Sequence, residues 1–231
     1  MRPRSLLILT TFAVAVIWQM PYGHHILYPL SLLATFAHEM GHGLSAMLVG
    51  AQFEQMQLNA DGSGLAVWSG NPGRIATAFV AAGGLIGPTI AGAAMLLLTG
   101  SPRWSRAVLA ALAAVLLVCM VVWSRNAFGV AYLLTMAVAL ALAARFLNDS
   151  LASFVVHLIA VTLCMSWFSN LDYLFSANAV VNGVTHPSDS AVMARALWLP
   201  YWFWGGVVAG FSLACVVYGI WFSTKSPTRH L

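Results

Sequence analysis

The sequence predicts an all-α polytopic membrane protein with about six to seven transmembrane helices and one short β-hairpin after the second. Composition carries most of this. Of 231 residues, 61% are hydrophobic and only 7% are charged, against roughly 25% charged in a soluble globular domain. The second observation is spacing: Gly, Pro and charged positions divide the apolar sequence into lengths near the roughly 20 residues that a helix needs to cross a bilayer. The third is an Asp-Gly turn between β-favouring runs in the one sizeable loop, about residues 50–73.

Taken in order, the first span covers residues 5–20. It follows the basic start Met1-Arg2-Pro3-Arg4, but no small-residue cleavage pattern comes before Pro21, so it reads as a retained helix rather than a signal peptide. The second covers about 26–49. In the loop that follows, Phe53-Glu54-Gln55-Met56-Gln57-Leu58 and Leu65-Ala66-Val67-Trp68 flank a turn containing Asp61-Gly62. That pattern predicts a hairpin lying at the membrane surface. Further spans are expected at about 74–99, 104–123, 127–147, 151–177 and 198–222. Gly83 and Gly87 form a small-xxx-small pair in the third, with Gly92 beyond, which suits close helix packing. Trp198, Tyr201, Trp202, Phe203 and Trp204 around Pro200 suit an interfacial aromatic belt.

Other classes are disfavoured. Ten basic residues against six acidic ones are scattered rather than gathered into a stripe, so nucleic acid is not a partner. With seven spans, Arg2, Arg4, Arg74, Arg125 and Arg195 fall on one side and Arg103, Arg106, Arg145, Lys225 and Arg229 on the other, and the positive-inside rule gives no orientation. Cys119, Cys164 and Cys215 all lie in apolar stretches and read as packing residues.

The chemistry is concentrated in His38-Glu39-Met40-Gly41-His42. At 100° and 1.5 Å per residue, His38 and His42 project about 40° apart and lie about 6 Å apart along the axis. Two imidazoles so placed can share one Zn2+, with Glu39 positioned to take a proton from a metal-activated water. With seven His and two Glu in the chain, the motif arises by chance in roughly 2 of 1000 shuffled sequences. Ser31, Thr35, His38, His42 and Ser45 extend one polar face along this helix, which should turn into the bundle. The competing explanation, a buried polar packing stripe, has to meet a cost of about 2.5–3.5 kcal/mol for an ionisable group at the bilayer centre.

A catalytic zinc takes three protein ligands and one open position. The only later glutamate, Glu54, lies in the hairpin, and Ser45 and Leu48 occupy the places that an extended His-Glu-x-x-His-x-x-Gly-x-x-His would need for Gly and His. Asp61, Asp149, Asp172, Asp189, His157 and His186 remain. Asp61 belongs to a turn, Asp149 to a loop start, and Ser188 or Asp189 to a helix N-cap; His157 stands alone among aliphatics. Asp172 lies deep in the sixth apolar segment, on a face shared with Ser169 and Ser176. Asp172 is therefore the preferred third ligand, and Asp189 the alternative.

These features resemble the site-2 protease family of intramembrane zinc metallopeptidases. Ala37-His38-Glu39-Met40-Gly41-His42-Gly43, Trp123-Ser124-Arg125-Asn126-Ala127-Phe128-Gly129-Val130 and Ser188-Asp189-Ser190-Ala191 are similar, more narrowly, to its short branch without a PDZ domain. The spans leave a single integral membrane domain over residues 1–231, with a core of about 26–222, and the resemblance, which runs from about residue 34 to the last helix, implies that it is metallopeptidase-like and lies in the cell membrane. It implies hydrolysis of peptide bonds within or near transmembrane segments of membrane-protein substrates, with His38 and His42 as zinc ligands, Glu39 as general base and an aspartate as third ligand. Longer members carry Asn-x-x-Pro ahead of Leu-Asp-Gly, whereas here Leu171-Asp172 is followed by Tyr173. Asn126 would orient substrate by hydrogen-bonding an extended backbone, or else cap the fifth helix. A non-proteolytic zinc-binding protein of the same fold is the alternative function. A transporter is a third, disfavoured because no internal repeat is found.

Overall fold

The computed structural model describes residues 3–98, 102–169, 171–181 and 183–225. The order is α1 (Pro3–Gln19), α2 (Gly23–Leu48), β1 (Gln52–Leu58), β2 (Gly64–Ser69), α3 (Gly73–Leu98), α4 (Pro102–Val122), α5 (Ala127–Phe146), α6 (Asp149–Ser169), α7 (Leu171–Leu174), β3 (Asn178–Val181), β4 (Val184–Pro187), α8 (Asp189–Leu197) and α9 (Tyr201–Lys225). Five of the described helices, α3, α4, α5, α6 and α9, are long and apolar enough to cross a membrane. The 17-residue α1 is shorter than these, and α2 is less apolar because it carries His38, Glu39 and His42. The protein is a helical membrane protein.

Helix α3 is the hub, packed against α2, α6, α8 and α9, while α4 and α5 pair with each other and α4 rests on α6. Glycine makes the α2–α3 contact close. A Cβ on Gly83 would lie 1.9 Å from Ser45 Oγ, and one on Gly87 2.7 Å from the Ala37 carbonyl oxygen. The small-residue pattern therefore brings two backbones together, as expected. Gly92 serves a second seam, where its Cβ would lie 2.6 Å from the Ala160 carbonyl oxygen on α6.

The first hairpin forms where the sequence places it, with Gln57 opposite Leu65 and Leu58 opposite Gly64. Phe53, Met56 and Leu58 are buried in the main helical core, so one face of β1 packs into the protein. A register shift between Phe53 and Gln55 explains how residues at odd spacing share one face, since an extra residue in a strand resets its alternation. Phe53 stacks on Trp123 with ring centroids 5.1 Å apart.

The sixth predicted segment, 151–177, is corrected. Helix α6 ends at Ser169, a single turn forms α7, and a second antiparallel hairpin follows, with Val181 opposite Val184 and Asn178 opposite Pro187. Its sequence signal is Asn182-Gly183 between Val180-Val181 and Val184-Thr185, a strong hairpin turn pattern. Gly183 takes φ +78°, a left-handed conformation that favours glycine. The segment predicted at 198–222 appears as α9, preceded by the short amphipathic α8.

Candidate metal centre

Helix α2 delivers His38 and His42 to one point. Their Nε2 atoms lie 3.1 Å apart, with the rings edge to face. His42 Nδ1 lies 2.9 Å from the Val80 carbonyl oxygen on α3. A carbonyl only accepts, so Nδ1 carries the proton and Nε2 is left with its lone pair for a metal. Room for the His42 ring comes from Gly84, where a Cβ would stand 2.2 Å from the imidazole.

The third group comes from α8. Asp189 Oδ2 lies 3.1 Å from His38 Nε2 and 3.3 Å from His42 Nε2. Among the described residues, His38, His42 and Asp189 are the group of His, Cys, Asp or Glu side chains arranged to hold a metal. Asp172 lies on α7, and its side chain falls outside the described residues. Asp189 is available because Ser188 takes the N-cap role: its Oγ accepts the Ala191 N–H at 3.2 Å. Sequence reasoning assigned that duty to either residue and so discounted the aspartate.

The geometry can be tested against zinc. Zn–N bonds of about 2.0–2.1 Å and Zn–O bonds of about 2.0–2.2 Å in a tetrahedron place ligand atoms roughly 3.3–3.5 Å apart. The three observed separations are close to this, and two imidazoles with one carboxylate suit Zn2+ chemically. The residues fit the metal.

Glu39 is buried at 5% exposure and accepts a hydrogen bond from the Ala66 N–H of β2. The strand passes close by, since a Cβ on Gly64 would be 2.5 Å from Glu39 Oε1. Tyr28 Oη donates to the Ala60 carbonyl at 2.7 Å and Thr35 Oγ1 to that of Gly62 at 2.8 Å, fastening the turn to α2. The polar face read from sequence thus points inward, at the hairpin and α3. A cavity of about 390 Å³ opens beside His38 and Glu39, bounded by Thr35, residues 62–64, Tyr173 and residues 179–181.

A model of the Peptidase M50B-like family matches residues 7–219. The chain belongs to that family. No curated protein and no solved structure matches it. The family match agrees with the site-2 protease resemblance, and it covers every element that builds the centre of this M50B-like chain.

Asn126 is engaged with the chain's own backbone. Its Nδ2 donates to the Leu58 carbonyl at 2.5 Å, and its Oδ1 accepts the Leu58 N–H at 3.2 Å. Met56 exchanges backbone bonds with Trp123 and Arg125 at 2.8 and 3.2 Å. An extended backbone is bound as the residue type suggests, but that backbone is β1. Asn126 also stands at the N-cap of α5 without a side-chain capping bond. His157 and His186 lie elsewhere. His157 bonds the Ser153 carbonyl within α6, and His186 lies on β4.

Proposed function

We propose that this M50B-like protein is an intramembrane zinc endopeptidase acting on transmembrane segments of other membrane proteins, with His38, His42 and Asp189 as metal ligands and Glu39 as general base. The convergence of three donor atoms from α2 and α8, with a buried carboxylate one residue from the first ligand, carries the reading. On this reading the third ligand is Asp189, the alternative from sequence, in place of the preferred Asp172. A multi-pass protein of the cell membrane is the corresponding location.

When bound, zinc supplies a water that ionises near neutral pH and a Lewis acid for the scissile carbonyl. The remaining work belongs to the chain. Glu39 accepts the proton on its carboxylate and returns it to the leaving amine. Val80, through Nδ1 of His42, sets the tautomer of that ligand. The outer edge of β1 is occupied by residues 123–126, so an extended substrate would have to add at the edge of β2, where the Ala66 N–H already meets Glu39. Strand addition there would present a peptide bond to the centre. Asn126 contributes by seating β1 rather than by touching substrate.

The test is cleavage of a single-span membrane substrate by the purified protein in lipid. Glu39→Gln keeps the shape and removes the base, so zinc content should match the parent while the rate falls by about 10²–10⁴, the usual contribution of general acid–base catalysis. A variant cutting at the parental rate overturns the mechanism. A parent that holds zinc but cuts no membrane substrate favours the non-proteolytic alternative.

A further inference from the structure

The structure gives Tyr173 three contacts at the centre. Its phenol donates to Asp189 Oδ2 at 2.8 Å, the same oxygen that faces both histidines. Its oxygen also lies 3.4 Å from the Asp189 backbone nitrogen. Its ring packs edge-on against His38 with centroids 6.0 Å apart. Tyr173 therefore touches one ligand at two atoms and a second through its ring, and borders the cavity.

The contact spans 16 residues and depends on the second hairpin. Pairing of Asn178 with Pro187 returns the chain so that the end of α7 meets the start of α8. The junction is stitched by Ser188 N–H to the Ala177 carbonyl at 3.2 Å and by Ser188 Oγ to the Ser176 carbonyl at 2.5 Å. The mutual fastening of α7 and α8 fixes where the carboxylate stands.

We propose that Tyr173 is a positioning residue of the metal centre, holding Asp189 in the rotamer that completes the His38–His42 pair. A carboxylate on a single-bond stem has several rotamers, and a donor at its ligating oxygen selects one before the metal arrives. Partners of this kind change metal affinity by about 10–100-fold when removed. The inference rests on the proposed metal site, and its main readout is zinc binding, independent of cleavage.

The experiment compares the full-length parent with Tyr173→Phe, which keeps the ring against His38 and removes the hydroxyl. Zinc affinity is measured by competition with a chromophoric chelator in detergent, and thermal unfolding of the metal-free proteins is followed alongside. The expected result is zinc binding about tenfold weaker or more, with metal-free unfolding unchanged and the parental cleavage rate recovered when zinc saturates the variant. Affinity within twofold of the parent overturns the proposal. So does a rate that stays low at saturating zinc, which would mean that the hydroxyl acts on the substrate directly. If metal-free Tyr173→Phe unfolds early, Tyr173→His supplies a second, shorter donor, and failure of that donor to restore affinity above the Phe variant overturns the proposal. A parent that binds zinc and cleaves nothing defeats the peptidase reading while leaving the affinity comparison decisive for Tyr173.

Discussion

Gly84 shows how a residue without a side chain can belong to the proposed metal site. Any Cβ there would enter the volume of the His42 imidazole, so its absence lets the ring stand between α3 and the ligand position. We expect Gly84→Val to weaken zinc binding at least tenfold by displacing His42 from the Val80 carbonyl. Gly206 on α9, where a Cβ would meet nothing within 4 Å, is the matched control: Gly206→Ala should leave affinity unchanged in the same chelator competition. Residue-scale chemistry was legible in sequence where it is local. His38, Glu39 and His42 share one helix, and helical spacing alone places them together. Asp189 was ranked second because a capping role accounted for it, and only the placement of Ser188 Oγ on the Ala191 N–H shows that role to be filled by its neighbour.

At the scale of elements, two hairpins hold the site from opposite sides. The first is anchored through Asn126, which makes two hydrogen bonds to Leu58. Asn126→Ala leaves the Leu58 backbone groups without their partner, at a cost of about 1–3 kcal/mol. Its thermal midpoint should fall, and cleavage should fall with zinc affinity retained, because β1 touches no ligand; equal loss of zinc affinity would contradict that assignment. The second hairpin acts on the ligand set instead. Gly183→Val imposes a β-branched side chain at φ +78°, costing about 1–2 kcal/mol, and should weaken zinc binding by releasing the α7–α8 junction. The two variants thus separate substrate-side from metal-side damage. The first hairpin was legible from Asp61-Gly62 and its alternating flanks. The second was hidden because apolar residues 151–177 read as one span, although Asn182-Gly183 signals a turn.

For the whole molecule, the scarcity of charge both assigns the chain to a membrane and marks its chemistry. Seven apolar segments were expected from composition, and five described helices meet the length and apolarity of a span; α2 is less apolar because it bears His38, Glu39 and His42. The centre lies where α2 and α3 meet α7 and α8, between the main core and a smaller one around α3, α8 and α9. Neither core is built from the ligands, so metal removal should lower stability only by the linkage of binding to folding, about 2.7 kcal/mol when free zinc is 100 times its Kd. Chelation should abolish cleavage and reduce the thermal midpoint while helical content stays intact below it; loss of helix on chelation would mean that the metal is structural.

The central claim is that Asp189 joins His38 and His42 around one zinc. Its most direct test is zinc stoichiometry, by elemental analysis of purified protein after dialysis against a weak chelator, for the parent, Asp189→Asn and Asp172→Asn. The account predicts one zinc per chain in the parent and in Asp172→Asn, and loss of most of it in Asp189→Asn. Full retention in Asp189→Asn together with loss in Asp172→Asn would contradict it.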